Sequence, residues 1–169
     1  MRVISGTARG RRLASFRGDK IRPTADKVKG SIFNIIASNF GQLDNMMVLD
    51  LFSGTGSLGI EALSRGAAKS VFIDESPGSI NILKENVDTC GFAERSEIIQ
   101  ATVESGINLL SKRGNRFNMV FLDPPYEKGL IEKTVEEIVS NDILEDGAVV
   151  IAEHSVREQP LMEYDGLTL

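Results

Sequence analysis

Met47-Val48-Leu49-Asp50-Leu51-Phe52-Ser53-Gly54-Thr55-Gly56-Ser57-Leu58-Gly59 is the stretch on which the fold turns. It begins as an apolar run the length of one buried strand and breaks into small residues. It then resumes at Ile60-Glu61-Ala62-Leu63 with a helical pattern. Gly54 and Gly56 allow positive φ and close passage of the backbone past a ligand. Gly59 lets the helix sit tightly on its strand. The three glycines spell G-x-G-x-x-G after a strand, a nucleotide-binding fingerprint.

Asp50 narrows the ligand. A carboxylate just before the glycine turn would repel a pyrophosphate held at the helix N-terminus. It suits a cation instead, such as the sulfonium and ammonium of S-adenosylmethionine. Asp74 closes the next apolar run, Ser70-Val71-Phe72-Ile73, where an acid accepts from both hydroxyls of a ribose. NAD enzymes also carry an acid there, so Asp74 indicates a nucleoside without choosing between the two.

Downstream, strand and helix patterns alternate. Strands are expected near 69–74, 96–100, 117–122 and 147–152, and helices near 57–65, 78–90, 103–112 and 129–140. Asp146-Gly147 reads as a turn into the last strand. The alternation implies an α/β fold with a doubly wound, mostly parallel sheet. Ahead of it, the pieces 1–5 and 12–16 read as a small hairpin. Val28, Ile32, Ile35 and Ile36 recur at helical spacing, so 25–39 reads as an amphipathic helix after Arg22-Pro23-Thr24. The expected organisation is a basic N-terminal extension, 1–40, on a catalytic domain, 41–169, that lacks part of its terminal hairpin.

A chain of 169 residues suits one domain. No apolar run approaches the roughly 18 residues of a membrane span, and 1–30 has no signal-peptide core, so a cytoplasmic protein is expected. Cys90, the sole cysteine, excludes internal disulfides and reads as a buried small residue. His154, the sole histidine, leaves no histidine-rich metal site and reads as structural. The net charge of −5 hides an asymmetry. Residues 1–30 hold nine basic and two acidic residues, a net of +7, against ten and twenty-two in the remainder, a net of −12. A basic arm on an acidic body points to a nucleic-acid contact through Arg9, Arg11, Arg12, Arg17 and Arg22.

A second motif carries chemistry. The buried-strand pattern Asn118-Met119-Val120-Phe121-Leu122 runs directly into Asp123-Pro124-Pro125-Tyr126. Two prolines remove two N–H donors and leave carbonyls and a carboxylate facing the site. Asp123 and the Pro124 carbonyl can each accept one hydrogen of a planar exocyclic amine, and Tyr126 can stack on its base.

Together, Arg2-Val3-Ile4-Ser5-Gly6, Arg9-Gly10-Arg11, Arg22-Pro23-Thr24, Asp50 to Gly56, Glu61-Ala62-Leu63-Ser64-Arg65-Gly66 and Asp123 to Tyr126 resemble the RsmD-type methyltransferases. These bacterial enzymes methylate N2 of a guanine in small-subunit ribosomal RNA. The resemblance runs to about Glu153 and implies a Rossmann-like class I methyltransferase with S-adenosylmethionine as donor. It implies a donor site at Asp50, Phe52, Ser53, Gly54, Gly56 and Asp74, with Asp123, Pro124 and Tyr126 catalytic. It also implies action on ribosomal RNA within a partly or fully assembled small subunit, and a monomer is the default expectation. Thr102 stands where the family usually has Asp or Asn on the adenine amine. The competing readings are an adenine-N6 methyltransferase acting on DNA or RNA, a protein-glutamine methyltransferase, an NAD-binding oxidoreductase and a non-catalytic nucleotide-binding module.

Overall fold

A computed structural model describes residues 1–16, 23–125, 129–154, 163–164 and 167–168. Five strands form one parallel sheet in the order β3-β2-β1-β4-β5: β1 Met47–Leu51, β2 Lys69–Asp74, β3 Ser96–Gln100, β4 Phe117–Leu122 and β5 Leu144–Ala152. Helices α1 Pro23–Phe40, α2 Ser57–Ser64, α3 Pro77–Cys90, α4 Val103–Lys112 and α5 Leu130–Ser140 connect or flank them. The strands are short apolar runs because a parallel sheet is covered on both faces. Side chains of alternate parity divide between two cores. Val48, Phe72, Met119 and Phe121 face α1, α2 and α3, while Leu49, Val71, Val120 and Leu122 face α4 and α5.

The expected elements are present, with two changes. Asp146-Gly147 lies inside β5 rather than before it. The β4–β5 register passes from Phe117↔Leu144 to Met119↔Val149, so the extra residues of β5 bulge out there, and Gly147 takes φ +73°. In α1 the buried face is turned from the expected one: Ile36 is buried and Ile32 packs on the core as expected, but the other two are not. Val28 and Ile35 are exposed, whereas Lys29, Phe33 and Ile36 are buried. The reason is Glu61, fully buried on α2, which draws the Lys29 ammonium inward to 3.5 Å.

The first residues form the expected hairpin. Arg2 and Arg12 face each other in an antiparallel bridge, and the Val3 and Leu13 amides donate to the carbonyls of Arg11 and Met1. Its loop docks on α2. Glu61 accepts from the amides of Ile4 at 2.8 Å and Ser5 at 3.0 Å, and Ser64 Oγ accepts from the Ala8 amide at 3.0 Å. Gly6 lies so close to α2 that a Cβ would fall 1.7 Å from the Ser64 carbonyl oxygen, and its φ is +81°. Val3, Ala8 and Leu13 thereby join the same core as Phe33 and Phe121. At the other end, β6 Glu163–Tyr164 and β7 Leu167–Thr168 form a separate antiparallel pair. No helix among the described residues is long and apolar enough to cross a membrane.

Candidate active site

The sheet order reverses between β1 and β4, the position at which open α/β sheets bind ligands beyond their strand ends. Register aligns what lies there. Ile99, Ile73, Leu51, Leu122 and Ala152 form one row across the five strands. The next residue of each chain, Gln100, Asp74, Phe52, Asp123 and Glu153, therefore forms the rim. Three of those five are acids. A cleft of about 900 Å³ opens above them, bordered by Phe52, Asp74, Ser76, Thr102, Asp123 and Pro124.

The glycine loop is held from below. Asp50 is buried on β1, and its Oδ2 accepts from the Gly59 amide at 2.8 Å. It sits beneath the loop rather than on the cleft wall. Burial pushes its carboxyl up to about 8 against the pull of that amide, and the neighbouring Asp123 and Asp74 push the same way. Gly59 earns its place on α2, since a Cβ there would fall 2.4 Å from the Phe72 ring and 2.6 Å from Ser70 Oγ. At Gly56, φ is +78° and a Cβ would meet Leu83 at 2.2 Å. Around Gly54 the space is open, with only the Phe52 carbonyl oxygen within reach, at 3.9 Å. Phe52 itself takes φ +57°, unusual for a bulky residue and typical of ligand sites.

Asp74 organises the loop from the side. Its two oxygens accept from the amides of Gly54 and Ser76 at 2.8 and 2.9 Å. Each oxygen keeps a second lone pair for a ligand hydroxyl. Ser53 Oγ is buried and has no hydrogen-bond partner among the described residues. A polar nucleoside with an amino-acid tail fits these features: an open glycine turn, a rim carboxylate with spare acceptors, and an unpaired hydroxyl. Thr102 caps α4, with its Oγ1 accepting from the Ser105 amide at 3.3 Å, so its hydroxyl is already engaged.

Asp123 and Pro124 border the same cleft as Phe52 and Asp74. Burial, reinforced by the charge of Glu153, pushes the Asp123 carboxyl up to about 6. Tyr126, Arg17 and Arg22 lie outside the described residues. Arg9, Arg11 and Arg12 are exposed on the hairpin and do not border the cleft. Arg11 also donates to the Thr89 carbonyl at the end of α3.

The profile of the family described as "Conserved hypothetical protein 95" matches residues 1–169. The chain belongs to that family. YlbH of Bacillus subtilis is 40% identical, over 98% of this chain and 88% of its own length. Ribosomal RNA small subunit methyltransferase D of Haemophilus influenzae is 35% identical, over all of this chain and 86% of its own. The solved structure of yhhF from Escherichia coli superposes with a TM-score of 0.81 at 33% identity, over 95% of this chain and 84% of that one. This is the RsmD family that the motifs resembled, and the fold is that of the class I methyltransferases.

Several residues of this RsmD-family chain escaped the sequence reading. Glu61 was visible as an acid on the apolar face of a short helix, and Lys29 stands where α1 turns inward. Asn86, buried on α3, binds both the N-terminal segment and the glycine loop. Lys133 on α5 reaches Glu104 on α4 at 3.0 Å across one edge of the cleft. Nothing in a single sequence marks these last two partnerships.

Proposed function

We propose that this methyltransferase transfers the methyl group of S-adenosylmethionine to the N2 amine of a guanine in small-subunit ribosomal RNA. The observation that carries the reading is that Asp123 and Pro124 border one cleft with Asp74, whose carboxylate also accepts from the amide of the open turn at Gly54. Bound there, S-adenosylmethionine supplies an electrophilic methyl. Asp74 holds its ribose, and Ser53 and the Gly54 turn accommodate its amino-acid end. Asp50 stays beneath, fixing the loop through its bond to the Gly59 amide.

An exocyclic amine conjugated with its ring is a poor nucleophile. Asp123 and the Pro124 carbonyl each accept one of its hydrogens, which turns the lone pair toward the methyl. They also stabilise the positive charge that grows on nitrogen as the bond forms. Asp123 then takes the proton that the methylated nitrogen sheds. Tyr126 stacks on the base. The hairpin arginines grip phosphates and set register without reading sequence. The name of the Haemophilus relative supports ribosomal RNA as substrate. We take the acting form to be a cytoplasmic monomer working on the small subunit as it assembles.

Transfer of labelled methyl from S-adenosylmethionine to small subunits, free ribosomal RNA and duplex DNA, followed by nucleoside mapping, tests the reading. N2-methylguanosine in small-subunit RNA is the expected product. N6-methyladenine in any of the three would overturn the choice of guanine.

A further inference from the structure

Asn86 has no part in the chemistry just described, yet its amide is one of the most heavily engaged polar groups of the chain. It is 1% exposed. Its Oδ1 accepts from the Ala14 amide at 2.6 Å, while Nδ2 donates to the Ala14 carbonyl at 3.1 Å and to the Thr55 carbonyl at 2.9 Å. The two bonds to Ala14 grip the N-terminal segment as it leaves the hairpin. The third reaches the crest of the glycine loop, between Gly54 and Gly56. Both hydrogens of Nδ2 are spent, so neither partner can leave without stranding a buried donor.

The segment has two further ties to α3. The Arg11 guanidinium donates to the Thr89 carbonyl near the helix end. Phe16 lies against the helix start, where a Cβ on Gly78 would be 3.5 Å from its ring. The segment therefore runs along α3 from its C-terminus toward Ser76, which borders the cleft. Asn86 is the point on that path where the arginine-bearing segment and the donor loop share one side chain.

We propose that Asn86 is a positioning residue that couples the two substrate sites, so that RNA held by the N-terminal segment fixes the loop that receives the donor. The proposal rests on the function given above. Its physical content is that RNA held by the arginines further restrains the segment at Ala14, Asn86 transmits that restraint to Thr55, and the donor then meets a loop already set. Linkage makes the effect reciprocal: the donor must tighten RNA binding by the same factor.

The test is equilibrium dialysis of labelled S-adenosylhomocysteine against the full chain, with and without saturating small ribosomal subunits. The parent should bind about fivefold tighter or better with subunits present, the lower end of usual couplings. Asn86→Ser should show the same affinity in both conditions while its unfolding transition remains cooperative. In the parent, subunits alone should slow hydrogen exchange at the Gly54, Thr55 and Gly56 amides, a measurement that stands even if the variant does not fold. Binding that subunits leave unchanged, with loop exchange also unchanged, overturns the coupling alone. Coupling that survives in Asn86→Ser overturns the role of Asn86. A parent that binds no S-adenosylhomocysteine in either condition overturns the donor assignment and this proposal with it.

Discussion

Asp123 leaves β4 alongside Glu153 leaving β5, because Leu122 and Ala152 pair in register and the Glu153 amide donates to the Leu122 carbonyl at 2.8 Å. Loss of solvent around Asp123 does most to raise it to about 6, and the like charge of Glu153 beside it adds to the rise. Asp123 must be ionised to take the proton and to balance the charge that grows on nitrogen. Single-turnover methyl transfer should therefore rise with pH, pass half its plateau near 6 and stay flat above 7. Glu153→Gln removes the like charge and should shift the midpoint toward acid. Asp123→Ala should slow the step about 10²-fold or more with donor affinity little changed. A rate independent of pH between 5 and 8 would take Asp123 out of the chemistry.

Asp50 makes a prediction about stability. Its carboxyl is raised in the folded chain, from an ordinary value near 4 to about 8. Between those values the folded state holds a proton that the unfolded state has lost, so stability falls as pH rises through that window. The contribution is full below pH 4 and gone above 8. Asp50→Asn keeps an oxygen for the Gly59 amide and should flatten this slope, gaining on the parent at pH 8. Thermal unfolding at several pH values would show it, and parallel pH curves for the two proteins would exclude it.

Glu61 and Lys29 should not be equivalent. Glu61→Ala removes the counter-charge of buried Lys29, which keeps only a bond to the Arg2 carbonyl, and takes the acceptor from the Ile4 and Ser5 amides and the Arg65 guanidinium. Loss of one member of a buried pair costs about 3–5 kcal/mol. Lys29→Met leaves Glu61 its two amides and Arg65, fills similar volume, and should cost clearly less. Denaturant melts that rank the two variants equally would contradict the network.

Gly59→Ala places a methyl against Phe72 and Ser70. Overpacking of this kind costs about 1–3 kcal/mol. The double variant Gly59→Ala with Phe72→Leu should recover part of the loss, because the ring is the obstacle. No recovery would mean that the helix moves away instead.

The hairpin arginines predict salt dependence. Arg9 and Arg12 are cleaner probes than Arg11, which already spans to Thr89. Arg9→Ala with Arg12→Ala should lower the slope of log affinity for RNA against log salt by about one to two units. Donor affinity in the absence of RNA should stay within twofold. An unchanged slope would make the arginines a solvated face.

The framework was legible because buried parallel strands are continuous apolar runs with glycine or proline at their ends, as Met47–Leu51 and Phe117–Leu122 show. The cleft followed from the strand ends, since Asp74 and Asp123 are local to them. The face of α1 was not legible. Val28 and Ile35 are as apolar as core residues, and the lysine is inside because of a carboxylate 32 residues beyond it and a carbonyl at Arg2. Asn86 was hidden for the same reason: its partners stand 72 and 31 positions away. Pairwise polar bonds between distant elements leave no periodic trace. The bulge at Gly147 imitated a turn because glycine serves both.

The seating of Gly6 on the Ser64 carbonyl bears on how substrate preference could be moved between relatives. A basic arm joined by a linker could be exchanged like a cartridge. This one is bolted to α2 through Glu61 and Ser64, and Gly6 leaves no room for any side chain at the joint. A chimera carrying a foreign first forty residues would have to import the matching face of α2 and the counterpart of Asn86. Short of that, the graft would lose its footing before it ever met RNA.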